Sequence, residues 1–179
     1  MSCYAMMVFL LSGGLCKDIE YVLNKYWWSG STTKGKGVKW KSWNGLCAPK
    51  KKGGLGFRCI REMNLALLGK QVWRLLTRPE SLVTKVYKCR YYPICSLFEA
   101  TAGSNPSFVW RGLLEALDAR KSGCYRSIGD GRSTIIGRDP WLPCAENSYV
   151  TTDLHDSIKD VLVSSLLNVQ GSNWDEECF

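Results

Sequence analysis

Apolar positions in this chain recur at helical spacing far more often than they alternate. In CKDIEYVLNKYWW, Cys16 to Trp28, the residues Ile19, Val22, Leu23, Tyr26 and Trp27 fall at i, i+3, i+4, i+7 and i+8. That spacing predicts an amphipathic helix with one apolar face. The longest periodic segment, RCIREMNLALLGKQVWRLLTR, follows Phe57. Leu65, Leu68, Val72, Leu75 and Leu76 share one of its faces, with Ala66, Gly69 and Trp73 alongside. Pro79 closes it, because a proline lacks the amide hydrogen a helix interior needs. Ser81 to Tyr92 predicts a second basic helix stopped by Pro93, Phe108 to Ala119 another amphipathic one, and Asp156 to Leu162 a modest one. The N-terminal AMMVFLL is too short for a bilayer, which needs about 20 apolar residues, and no basic region precedes it as in a secretion signal. It reads as part of a buried helix, so the chain is expected to begin mid-fold.

Two stretches break the helical pattern as loops, SGSTTKGKG at Ser29 to Gly37 and TAGSNPS at Thr101 to Ser107. A third, CYRSIGDGRSTIIG, sets two short β-prone runs around Gly129, Asp130 and Gly131 and predicts a β-hairpin at about 124–137. Asp130 is there a turn former, and Trp141, between Pro140 and Pro143, a lid on the hairpin. The fold class expected is mainly helical α+β, several amphipathic helices plus that one hairpin. Three regions follow: a basic helical region over 1–120, the hairpin and Trp lid over 121–145, and an acidic segment over 146–179.

Charge sharpens the picture. The net charge of +8 is uneven: residues 1–60 carry ten Lys/Arg against two acids, 61–120 nine against five, and 121–179 five against nine. A basic body suggests a polyanionic partner. Lys70, Arg74 and Arg78 recur at i, i+4 and i+8 as one stripe, and Lys85 and Lys88 continue it on the next helix. Aromatics interleave with these cations at Trp40, Trp43, Trp73, Tyr87, Tyr91 and Tyr92, the arrangement nucleic-acid backbones and bases favour. Aromatics in a core beside a solvated basic face would give the same pattern, and both readings stand.

The stretch KKKGGLGF, Lys50 to Phe57, fails as a nucleotide loop. A phosphate-cradling loop has its lysine after the last glycine, followed by Ser or Thr, and here the lysines come first. The remaining reading is mechanical: Gly53, Gly54 and Gly56 permit a tight turn with positive φ that delivers Phe57 and Ile60 to the core. Lys50, Lys51 and Lys52 then stay in solvent or on a phosphate backbone. Catalytic chemistry is not expected. Two-metal phosphoryl transfer needs clustered carboxylates, yet no Asp-Asp occurs and the densest acids, Asp175, Glu176 and Glu177, lie at the end. His155 is the only histidine, and the nine cysteines include no C-x-x-C pair, so neither a metal nor a cofactor is expected. An odd cysteine count without a secretion signal fits reduced, intracellular thiols, with nucleus and organelle equally compatible.

The order of segments resembles the region downstream of the polymerase core in reverse transcriptase-related proteins of plant non-LTR (LINE-type) retrotransposons, often labelled ribonuclease H proteins. The resemblance is carried by YAMMVFLL, IEYVLNKYWWSG, VKWKSWNGLCAPKKKGGLGFRCIREMNLALLGKQVWRLL, RYYP, PSFVWRGLLEA, SIGDGRST, DPWLP and VSSLLNVQGSNWDEECF. It implies a polymerase palm with paired aspartates before this region and a zinc-binding-like segment and ribonuclease H domain after it. The chain is then a non-enzymatic connecting piece of an RNA-directed DNA polymerase-like protein. Its implied partners are the RNA or DNA backbone of a template–primer and the missing polymerase domains, with no membrane. Binding would rest on Lys50, Lys51, Lys52, Lys70, Arg74, Arg78, Lys85 and Lys88 as one track of phosphate contacts. If about six of them neutralise phosphates, log affinity falls with log salt at a slope near −5 on duplex. Gly53, Gly54, Gly56, Trp73, Trp110 and Trp141 are expected to be structural. The alternative is an inert or protein-interacting retroelement relic with exposed apolar surface. Two departures from the family pattern favour relaxed constraint: Ser12 and Gly13 where a proline is usual, and Gly137 where a tryptophan is usual, the latter costing roughly 3 kcal/mol if uncompensated.

Overall fold

The leucine-rich segment after Phe57 forms the helix on which its neighbours pack. A computed structural model describes residues 3–30, 38–121, 123–143, 147–167 and 174, and the chain divides into two compact units, Met1–Ala119 and Arg120–Phe179. The helices are α1 (Cys3–Val8), α2 (Gly13–Ser29), α3 (Trp43–Cys47), α4 (Ile60–Thr77), α5 (Leu82–Tyr91), α6 (Phe108–Lys121) and α7 (Asp156–Lys159). Single helical turns occur at Lys50–Lys52, Leu97–Glu99 and Val163–Leu166. The loop expected at Ser29 to Gly37 lies, from residue 31, outside the described residues, as do Asp175, Glu176 and Glu177.

Two apolar clusters build the first unit. In the larger, Leu68, Val72 and Leu75 of α4 meet Trp110, Leu113, Ala116 and Leu117 of α6, with Tyr92, Leu97 and Ala100 closing the end. Trp110 is 0% exposed. Tyr91 stacks on its ring at 4.5 Å and 6°, and Tyr87 and Tyr92 lie 5.7 and 5.9 Å away. Its indole N–H donates to the Thr101 carbonyl at 3.2 Å, so the polar edge of a buried tryptophan is satisfied. The structural role expected of Trp110 is thus the centre of the core. In the smaller cluster Met6, Leu11, Cys16 and Ile60 pack together.

A polar side chain joins that smaller cluster to the chain's start. Asn64 of α4 is 0% exposed. Its Nδ2 donates to the Met6 carbonyl at 2.7 Å and the Phe9 carbonyl at 3.0 Å, and its Oδ1 accepts from the Leu11 amide at 2.8 Å. One carboxamide therefore answers three backbone groups where the chain turns from α1 into α2. Arg61 adds a bond to the Leu11 carbonyl at 2.6 Å and pairs with Glu115 of α6. The N-terminal run is only partly buried: Met6 and Leu11 are inside, while Val8 and Phe9 reach solvent. Ser12, at the position where the family usually has proline, caps α2 by accepting from the Leu15 amide.

Helix α2 is rotated from the face its apolar spacing suggests. Cys16 and Asn24 are its buried residues, with Glu20 half-buried between them, whereas Val22, Leu23, Tyr26 and Trp27 are exposed. The Glu20 carboxylate accepts from the Ile60 amide at 2.9 Å, answering an orphan donor at the start of α4. That bond turns the Cys16, Glu20 and Asn24 line, spaced i, i+4 and i+8, toward α4.

The hairpin over 124–137 does not form, and among the described residues the fold is mainly helical with isolated β-bridges rather than a sheet. The second β-prone run pairs instead with the acidic segment. Ile135 bridges Leu162 in antiparallel sense, Ile136 N donates to Val161 O at 3.0 Å, and Val163 N donates to Thr134 O at 2.8 Å. Asp130 accepts from the Arg132 amide at 3.1 Å, so the glycine turn closes on itself instead of returning the first run. The backbone of residues 159–164 then approaches so closely that a Cβ on Gly131 would sit 2.5 Å from Ser164 N, and one on Gly137 2.8 Å from Lys159 O. Gly137 is therefore no lost core aromatic; the position has no room for one. Trp141 covers this pairing rather than a hairpin, half-buried and donating to the Ile136 carbonyl at 3.0 Å.

Asn64→Ala leaves three backbone groups without partners in the interior and should cost about 3 kcal/mol or more. The exposed Ala66→Gln on the same helix should change stability by less than about 0.5 kcal/mol. Urea unfolding followed by circular dichroism of the whole chain compares the two.

Candidate nucleic-acid interface

Two groups of exposed cations belong to the first unit, and each is placed by different local physics. The first is the lysine–glycine turn. Lys52 N donates to Pro49 O at 2.8 Å and Gly53 N to Lys50 O at 3.0 Å, winding Lys50, Lys51 and Lys52 into one helical turn with all three side chains exposed. Gly53 and Gly56 hold φ of +76° and +71°, where a side chain is strained. Gly54 does not need positive φ. It is required because a Cβ there would run into the Ala48 carbonyl. Leu55 N and Phe57 N both donate to Leu46 O, at 2.9 and 3.2 Å, folding the turn back on α3. The Lys41 ammonium clamps it from outside through the Gly53 carbonyl at 2.5 Å. Phe57 meets Trp27 edge-on at 4.9 Å and Trp43 at 5.3 Å, and Ile60 is buried beyond. The turn leads Ile60 into the interior and leaves Phe57 half-buried against Trp27 and Trp43.

The second group lies on α4 and α5. Lys70 and Arg74 are exposed on α4, and Arg78 is exposed as its C-terminal cap. Eight residues at 1.5 Å each spread these three over about 12 Å. Lys85 and Lys88 are exposed on α5, with Lys85 3.4 Å from Glu80. Trp73, expected to be structural, is 56% exposed between Lys70 and Arg74. Leu68, Val72 and Leu75 take the buried face of α4, and Trp73 falls on the opposite side of the helix wheel.

The track expected from lysine turn to stripe draws on different elements, Lys50, Lys51 and Lys52 on the turn after α3 and Lys70, Arg74 and Arg78 on and just after α4. Cys16 of α2 packs with Ile60, and Trp27, farther along α2, reaches Phe57, so α3 and the lysine turn lie beyond the N-terminus of α4. Lys70 stands ten residues into that helix, about 15 Å along its axis. The interleaved aromatics also divide. Tyr87, Tyr91 and Tyr92 surround Trp110 and Trp43 packs on Phe57, leaving Trp73 and Trp40 in solvent.

A feature the sequence reading missed adjoins the stripe. Arg74 and Arg78 border an apolar groove of about 570 Å³ lined by Tyr4, Val8, Leu75, Leu82, Val83 and Tyr87. The signal was present in Leu82, which a helix that buries Thr84 turns outward. Among ionisable side chains, Tyr91 is held below the usual phenol range by its hydrogen bond with Ser107, while burial pushes Tyr87 and Tyr92 up. His155 caps α7 through Ser157, and the described residues contain no group of three or more His, Cys, Asp or Glu that could hold a metal. No helix among them is long and apolar enough to cross a membrane.

Gly54→Ala must displace the Ala48 backbone and should cost about 2 kcal/mol or more. Gly56→Ala meets open space and bears only the positive-φ penalty of about 1 kcal/mol. Thermal unfolding monitored by tryptophan fluorescence ranks the two.

Comparison with known proteins adds what geometry alone does not. No protein-family model matches the chain, and no solved structure matches it. It is 31% identical to the Arabidopsis thaliana protein named "Putative ribonuclease H protein At1g65750" over 98% of its own length, but spans only 28% of that relative. It is 38% identical to the Arabidopsis thaliana "Uncharacterized mitochondrial protein AtMg00310" over 78% of its own length and 90% of that relative. At that identity and coverage the chain belongs to the same family as AtMg00310.

Proposed function

We propose that this chain is a non-catalytic segment of a retrotransposon reverse transcriptase-like protein that binds RNA or DNA backbone without reading sequence. The observation that carries the reading is the exposure of Lys70, Arg74 and Arg78 on and just after α4, of Lys85 and Lys88 on α5, and of the Trp73 indole. Cations without planar base-reading partners neutralise phosphates and release counterions, which gives affinity but no sequence preference. The exposed indole of Trp73, one helical turn from Lys70, offers a stacking face to an unpaired base. Its similarity to a much longer protein named for ribonuclease H supports the reading that phosphoryl chemistry belongs to other parts of such proteins. The lysine turn supplies a second, separate phosphate contact in this scheme, and the natural ligand is a template–primer held between this segment and the polymerase domains.

A protein-interacting relic is the second reading, favoured by the apolar residues of α2 that face solvent, Val22, Leu23, Tyr26 and Trp27. Fluorescence anisotropy of labelled RNA and DNA between about 50 and 200 mM salt separates the two. If these five cations engage a single strand, log affinity falls with log salt at a slope of about −3.5. The triple reversal K70E/R74E/R78E should flatten that slope by about 2. Trp73→Ala should weaken single-strand binding by roughly 1–3 kcal/mol and duplex binding much less. A slope of zero, or a triple reversal without effect, removes the nucleic-acid reading and leaves the relic.

A further inference from the structure

The lysine–glycine turn begins and ends on cysteines. Cys47 is the last residue of α3 and Cys59 the N-cap of α4, and both are free and half-buried. Three bonds pin their neighbours together: Phe57 N to Leu46 O at 3.2 Å, Leu55 N to Leu46 O at 2.9 Å, and the Trp43 indole N–H to Arg58 O at 3.3 Å. Between the pinned ends the two thiols are close enough that the Cys59 thiol helps to raise the Cys47 pKa. The other free cysteines described in the first unit differ: Cys3, Cys89 and Cys95 are exposed, and Cys16 is buried in the α1–α2 cluster.

We infer that Cys47 and Cys59 are a reversible disulfide site, oxidised by a low-molecular-weight disulfide and locking the turn that displays Lys50, Lys51 and Lys52. The thiolate of one cysteine attacks a sulfur of the small disulfide, forming a protein mixed disulfide and expelling one small thiolate, which takes up a proton. The second protein thiol loses its proton and attacks the first protein sulfur, and the other small thiolate leaves. Two protein thiols are oxidised, and one small disulfide is reduced to two thiols. The roles are unequal. Burial, the Cys59 thiol and the Glu20 and Glu62 carboxylates push Cys47 up to about 12, disfavouring its thiolate. Cys59 is therefore the sulfur that reacts first, and Cys47 the one that closes the bond. The closed bond spans a loop of about a dozen residues and restricts the unfolded chain, so the oxidised protein melts at a higher temperature.

The test treats the whole reduced chain with oxidised glutathione, alkylates the remaining thiols and maps tryptic peptides by mass spectrometry. The expected product is one cross-linked pair joining Cys47 to Cys59. Cleavage after Lys50, Lys51 or Lys52 leaves the two halves joined until reductant is added. In Cys47→Ser a glutathione adduct should accumulate on Cys59, whereas in Cys59→Ser, Cys47 should react more slowly than exposed Cys89. Wild-type mapping needs no variant to fold. Persistent glutathione adducts on wild-type Cys59, or cross-links distributed among Cys3, Cys89 and Cys95, overturn the inference.

Discussion

The first unit depends on a buried carboxamide. Where the chain turns from α1 into α2, its backbone leaves two carbonyls and one amide facing the side of α4, and Asn64 answers all three. Without such a group the turn would have to stay in water, since unpaired backbone in an apolar setting is costly. Met6, Leu11 and Cys16 could not then be packed on Ile60. The same logic recurs one turn earlier on α4, where Glu20 takes the Ile60 amide. Both anchors are polar, and both decide how apolar residues are distributed.

That distribution explains the surface. Once Glu20 directs the Cys16–Asn24 line of α2 inward, Val22, Leu23, Tyr26 and Trp27 face outward. On α4 the buried face is taken by Leu68, Val72 and Leu75, and Trp73 stands among cations. A domain with exposed tryptophan beside Lys and Arg has the two components that a nucleic-acid strand engages, charge for its backbone and a flat face for its bases. The outward face of α2 is a different kind of surface, apolar at Val22, Leu23, Tyr26 and Trp27.

In the second unit the acidic segment is used internally. Residues 159–163 pair with 134–137, and Arg138 meets Asp160 at 3.0 Å. Asp139 takes both the Arg126 guanidinium at 3.1 Å and the Ile135 amide at 2.8 Å. Exposed pairs of this kind contribute little stability singly. The buried Ile136, Thr134 and Val163 and the side-chain-free backbones of Gly131 and Gly137 bring the two segments together. The reversal of charge along the chain thus accompanies a local packing solution and is not a free acidic tail over this stretch.

By itself the sequence marked the longer helices and the turn chemistry of KKKGGLGF, because these follow from side-chain period, glycine and proline within a few residues; it did not mark α3 or place Trp110 at the centre of the core. It also marked the cations that would be exposed, since Lys and Arg avoid burial when unpaired. Only the tertiary structure decided which face of α2 is buried, that Trp73 is outside, and that the run after Gly131 pairs with residues 159–163. The physical reason is common to all three. Each is settled by a partner far along the chain, a Glu20 for Ile60 or a Lys159 for Gly137, and a hydrogen-bonding group or a missing Cβ carries no local mark of which distant atom will meet it.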